Sequence, residues 1–174
     1  METTPLKILL ISADAALARR LEELLEPAEL TVEATADAGL AMVATNNFNA
    51  IFFEIAQANA AALFQITSLT TKAPRLPVIV IGPNDDDQFL AEAVFSGAQD
   101  YLGRPALAAP MLRHALHGAI SRQGERLALV EEKNDYYDVF DHLVEGIFRT
   151  TADGHYLLAN VALARIYGYD SPLE

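Results

Sequence analysis

The chain contains no cysteine among its 174 residues. That excludes disulfides and thiolate metal sites, and it agrees with a cytoplasmic protein. No apolar run reaches the roughly 18 residues a membrane span needs, so none is expected. The opening residues, METTPLK, lack the basic and then apolar segments of a signal peptide. Basic residues are scarce: 12 Lys and Arg stand against 24 Asp and Glu, for a net charge of −12. Nucleic-acid binding depends on Lys and Arg meeting phosphates, so it is not expected, and the charge favours solubility. There is no P-loop, no G-x-G-x-x-G, no G-x-S-x-G and no H-E-x-x-H. Of the 4 histidines, His114 and His117 share a helix-like stretch without a third ligand beside them; the others are His142 and His155. Asp85-Asp86-Asp87 lacks the spacing of a calcium loop and reads as a helix start.

What is present is apolar and regularly punctuated. A hydrophobic content of 52% is ample for a core, and the length suits one domain with an extension or two small ones. The centre of the pattern is Phe48–Ile55 (FNAIFFEI), where an apolar run rich in β-formers ends on a carboxylate, Glu54. Such a run predicts a strand buried on both faces, and open α/β sheets place their chemistry at the C-terminal ends of such strands. Lys7–Ile11 predicts a first strand, and Ser12-Ala13-Asp14 opens a helix carrying Leu17, Leu21, Leu24 and Leu25 up to Pro27. Leu30–Ala34 is a second strand, followed by a helix from about Asp37 to Ala44. Ala58–Thr70 is a helix with Ala62, Leu63, Ile66 and Leu69 inward, and Pro77–Ile81 is a fourth strand closed by Gly82-Pro83. A helix over Gln88–Ser96 with Gly97 at its end, a fifth strand at Asp100–Leu102 and a helix from near Leu107 complete the series.

Five alternating βα units imply a parallel sheet with helices on both faces, an α/β flavodoxin-like (βα)5 sandwich in strand order 2-1-3-4-5. That order puts Ser12–Asp14 opposite Glu54. Beyond it, Ile120, Gln123, Leu127, Val130, Asn134 and Tyr137 recur by threes and fours, the seam of a coiled coil with Asn134 at a core position. This stretch is either a homodimer seam or one amphipathic helix lying on its own domain. Gly146–Thr151 and His155–Ala159 then read as a hairpin through Ala152-Asp153-Gly154, followed by a helical patch at Val161–Tyr167. The expected division is 1–119, a helical linker over 120–140, and 141–174.

Residues 7–118 resemble the receiver domain of response regulators. KILLISADAALARRLEELL is similar to that family's first strand and helix, LPVIVIGPNDD to its fourth strand and loop, and SGAQDYLGRP to its Gly-Ala-Asp-Asp-Tyr-Leu-x-Lys-Pro stretch. The resemblance implies a signalling module of the two-component and phosphorelay class with protein partners. In that family an Asp after strand three accepts a phosphoryl group, aided by an acid pair that holds Mg²⁺, a Ser or Thr after strand four, and a Lys after strand five. Here the acid pair falls on Ser12 and Ala13 with Asp14 next to them, the phosphoacceptor on Glu54, and the hydroxyl position on Gly82. The lysine position falls on Arg104, before Pro105, and the switch aromatic on Tyr101. Glu carries its carboxylate about 1 Å further out, and a misplacement of that size can cost ~10²-fold. Without the acid pair the term that steadies transferred charge is also lost, so neither Mg²⁺ binding nor enzymatic turnover is expected. Arg104 is expected to pair with Glu54, either locking one signalling conformation or filling a retired site with matched charges. The alternative is a live phosphoacceptor at Glu54.

Residues 135–174, with the wording YYDVFDHLVEGIFRTTADGHYLLANVALARIYGYDSPLE from Tyr136 on, resemble the start of a PAS sensor domain, with Asn160 and Gly168-Tyr169 at that family's Asn-x-Ala and Gly-Tyr. That implies a piece of a longer signalling protein, of a kind that often continues into a histidine kinase or nucleotide cyclase, and a further alternative as a small-molecule sensor.

Overall fold

The computed structural model describes residues 5–172, which divide into two units, one ending at Gly124 and the other starting at Glu125. In the first unit, β1 (Lys7–Ile11), β2 (Glu29–Glu33), β3 (Ala50–Glu54), β4 (Val78–Gly82) and β5 (Asp100–Gly103) form one parallel sheet in the order 2-1-3-4-5. The helices are α1 (Ala15–Leu25), α2 (Ala36–Thr45), α3 (Ala60–Lys72), α4 (Asp87–Phe95) and the beginning of α5 (Ala109–His142), which crosses the division. A short 3-10 turn, Arg104–Ala106, joins β5 to α5.

The apolar runs become central strands because alternate side chains enter two cores. Ile8, Leu10, Ala50, Phe52, Ile79 and Ile81 pack with α1 and α5, whereas Leu9, Ile11, Ile51, Phe53, Val78 and Val80 pack with α3 and α4. Helix starts follow polar side chains that accept backbone N–H groups: Asp14 before α1, Thr35 before α2, Asn59 before α3 and Asp86 before α4. Of the acidic triplet, Asp86 is the cap, accepting from Phe89 N at 2.9 Å. Gly97 takes φ +102, the left-handed conformation that ends α4.

One expectation needs correction. Ile120 and Gln123, placed at the head of an intermolecular seam, are taken up inside the first unit. Ile120 packs against the core under α1 and α5, and Gln123 is buried, donating from Nε2 to Pro74 O at 2.7 Å. The face of α5 that buries Leu112, Ala115, Leu116 and Ala119 is the same face that carries the heptad pattern, so periodicity alone could not tell the two uses apart.

In the second unit, β6 (Phe148–Thr150) and β7 (Tyr156–Ala159) form an antiparallel pair, and α6 (Val161–Tyr167) follows. Asn160 is fully buried and ties these pieces together. Its Nδ2 donates to Phe140 O at 3.0 Å and Glu145 O at 2.8 Å, and its Oδ1 accepts from Ile147 N at 2.9 Å and Leu163 N at 3.0 Å. All its amide hydrogen-bonding capacity that counts is thereby met, which is why a polar side chain is tolerated in that position. Among the described residues no helix is long and apolar enough to cross a membrane.

Candidate functional site

The strand order brings the ends of β1, β3 and β5 to one side of the sheet, and with them Ser12, Asp14, Glu54 and Arg104. Pro105 sits in the first part of the 3-10 turn, where its missing N–H costs nothing, and Leu107 N returns to Arg104 O at 3.4 Å. From that turn the Arg104 guanidinium reaches two acids with two different nitrogens. One donates to Asp14 Oδ2 at 2.8 Å, and the other to Glu54 Oε1. Ser12 Oγ donates to Glu54 Oε2 and accepts from Asp14 N at 3.0 Å. Glu54 is the most enclosed of the charged groups, its side chain 16% exposed against 37% for Arg104 and 35% for Asp14. Asp14 does two things at once, since its Oδ1 also caps α1 through Ala16 N at 2.8 Å and Leu17 N at 3.2 Å. Those two N–H groups first, and Arg104 after them, hold its carboxyl below the usual carboxylate range.

An open cleft of about 560 Å³ lies beside this cluster, lined by Ser12, Ala13, Asp14, Thr35, Glu54 and Gln65 among others. A hard divalent cation needs several oxygen ligands. Ala13 offers no side-chain oxygen, and the carboxylates of Asp14 and Glu54 already face a fixed guanidinium that would repel a second cation. Among the described residues no cluster of three His, Cys, Asp or Glu is placed to hold a metal.

Gly82 and Tyr101 form the other half of the site. The Tyr101 ring lies inward over Gly82, buried and edge-on to Phe89 with centroids 5.5 Å apart, and its hydroxyl donates to Asn84 O at 2.8 Å. Burial first, and then the charges of Asp86 and Asp85, push its phenol above the ordinary value.

Every candidate position around the sheet mouth is therefore near another one, and Glu54, Ser12, Asp14 and Arg104 make one connected set. The bridging role of Asp14 was missed in the sequence, where only its capping pattern was visible. A carboxylate in the loop after β1, set against an Arg after β5 in this strand order, is the signal that could have exposed it. Of the helix positions, Leu127 is half-buried while Val130, Asn134 and Tyr137 are exposed.

No family model matches the chain, and no curated protein is similar enough in sequence to match it. Solved structures do match. A CheY-like response regulator receiver domain protein from Methanospirillum hungatei has 20% identity and a TM-score of 0.59, covering 71% of this chain and 99% of its own. The signal receiver domain of an HD domain-containing protein from Pseudomonas fluorescens has 21% identity and a TM-score of 0.58, with 70% and 99% covered. A third, described as an atypical orphan response regulator with a phosphorylation-independent regulatory mechanism, has 18% identity and a TM-score of 0.56, with 67% and 96% covered. What the chain shares with them is the fold of CheY-like receiver domains.

Proposed function

We propose that the first unit is a receiver-type signalling module of the two-component class that acts by protein–protein contact and carries no phosphoryl chemistry at Glu54. The observation that carries this reading is the Arg104 fork across Asp14 and Glu54. Phosphoryl transfer relies on a cation and a free acceptor oxygen to meet the incoming charge. Here the positive charge is a fixed side chain, and both Glu54 oxygens are engaged, one by Arg104 and the other by Ser12. Such a cluster sets one fixed positive charge between two carboxylates at the sheet mouth. The remaining surface of the unit, and α5 as a dimerising linker, are what the module has to offer a partner. We place it in the cytoplasm, with protein partners and without nucleic acid.

The test is incubation with acetyl phosphate and Mg²⁺ followed by intact-mass measurement. No phosphoryl mass gain is expected. A stable gain that disappears in Glu54→Ala overturns the reading in favour of a live acceptor.

The second unit supports a further reading as the opening part of a PAS-type sensor. The fully buried Asn160, joining the end of α5 to the hairpin and to α6, favours it. Phe148, Tyr156 and Leu157 are each more than half exposed on the hairpin, an apolar surface that calls for a cover. Native mass spectrometry of the purified chain checks for a bound small molecule. The chain mass alone counts against a sensor pocket within these residues.

A further inference from the structure

We propose that residues 126–138 of α5 pair in parallel and in register with a second copy of this chain, in a seam that starts at Leu127. This rests on the dimer reading of the linker given above and specifies its orientation and register.

With Ile120 and Gln123 committed to the first unit, the heptad that is left has Leu127 and Asn134 at a and Val130 and Tyr137 at d. Val130 is 49% and Tyr137 41% exposed, and the ring contacts of Tyr137 among the described residues, Tyr136 edge-on and Lys133 over its face, come from α5 itself. The residues flanking that seam carry the argument. Both g positions are basic, Arg126 and Lys133, and both e positions are acidic, Glu131 and Asp138, and all four are exposed. In a parallel pair each g residue meets the e residue five positions on in the other helix. Arg126 then meets Glu131 of the second copy, and Lys133 meets Asp138 of the second copy, with the same contacts repeated on the other side by symmetry. An antiparallel pair would set g against g and e against e, base on base and acid on acid. The charges therefore select the parallel arrangement, and a buried Asn at a selects the in-register one.

A neighbouring apolar stripe, Leu129, Tyr136, Val139 and Leu143, is also exposed. As a seam it would put Glu132 at a d position, and it would pair Asp135 with Phe140, which is buried inside its own unit. It would place a charged residue in the core, and it lacks the charge match.

The absence of native cysteine makes the test clean. In a parallel in-register pair residue 134 faces its own counterpart, whereas residue 129 points away, and side chains on Cα atoms more than about 7 Å apart cannot be bridged. Under mild oxidation Asn134→Cys is expected to give a disulfide-linked dimer and Leu129→Cys to remain single. Two charge variants complete the test on the full chain by analytical ultracentrifugation. Arg126→Glu with Lys133→Glu makes the flanks all acidic, and Glu131→Lys with Asp138→Lys makes them all basic. Each alone is expected to lose dimer affinity on the order of tenfold or more, and an equimolar mixture to regain it as a heterodimer. That recovery also shows that both variants are folded. A wild-type chain that stays monomeric at its highest soluble concentration overturns the dimer reading itself. A wild-type dimer that neither charge variant weakens, or one in which Leu129→Cys cross-links as well as Asn134→Cys, overturns the register and leaves the dimer standing.

Discussion

The hydroxyl of Tyr101 stands where a side chain on residue 82 would begin: a Cβ built on Gly82 falls 1.9 Å from that oxygen and 2.3 Å from the ring carbon bearing it. The absence of a side chain at 82 and the inward position of the tyrosine are thus one feature. A side chain at 82 requires the ring to move.

Gly82→Ser is accordingly expected to drive the ring off Asn84 O and to destabilise the first unit by about 1–3 kcal/mol, the usual range for overpacking. In a Tyr101→Ala background the same substitution should cost much less. Urea unfolding of the two single variants and the double variant checks this. Equal costs in both backgrounds would mean that the ring is not the obstacle.

Removing Arg104 leaves two carboxylates near one another, with Glu54 mostly enclosed. Arg104→Ala is expected to lower stability by roughly 1–3 kcal/mol, discounted from fully buried pairs because the guanidinium is partly in water. Arg104→Lys should recover only part of it, since an ammonium cannot present two fixed nitrogens to two acids. Denaturant midpoints at low and high salt measure both.

The acid limb of the stability curve should depend on Asp14. Its carboxyl is held below the ordinary range by Leu17 N and Ala16 N and then by Arg104, so the folded protein binds its proton less readily than the unfolded chain. That contribution is complete above the unfolded value of about 4 and is lost as pH falls through the lower folded value. Asp14→Asn keeps a capping oxygen but removes the charge. The stability gap between wild type and Asp14→Asn should therefore be constant near neutrality and close below about pH 4. A gap that widens on acidification would contradict the assignment.

In the second unit, Asn160→Ala deletes four hydrogen bonds and orphans the carbonyls of Phe140 and Glu145. The expected loss is about 2–4 kcal/mol, combining a helix cap with the buried Phe140 carbonyl left unsatisfied. Asn160→Asp keeps the acceptor side and should lose only part of it. Hydrogen exchange at Ile147 and through β6 and β7 reads the effect, and amides of β1 to β5 should not respond.

Much of the scaffold was legible because the central strands are short apolar blocks, and burial on both faces leaves such blocks little alternative. Their limits were less so. The third strand was expected from Phe48 but begins at Ala50, because Asn49 turns its side chain to accept Lys7 N at 2.8 Å. The pairing of Glu54 with Arg104 could be anticipated from the receiver-like positions that the two residues occupy in the sequence. The second job of Asp14 was missed, since its capping pattern accounts for one oxygen only and the Arg after β5 had to be set against the other. The fit of Tyr101 over Gly82 joins β5 to the end of β4 and has no one-dimensional trace. The seam residues were legible in pattern but not in allocation, because one helical face runs unbroken from the packed part of α5 into its exposed part.

Four side chains lean on one another at the sheet mouth, Asp14 and Glu54 through Arg104 and Ser12 through Glu54, so none has an energy of its own. A scan that changes them singly will report contributions whose sum exceeds the whole, because each substitution also disturbs what its neighbours hold. The meaningful quantity there is the coupling between pairs, and it should be largest for Arg104 with Glu54.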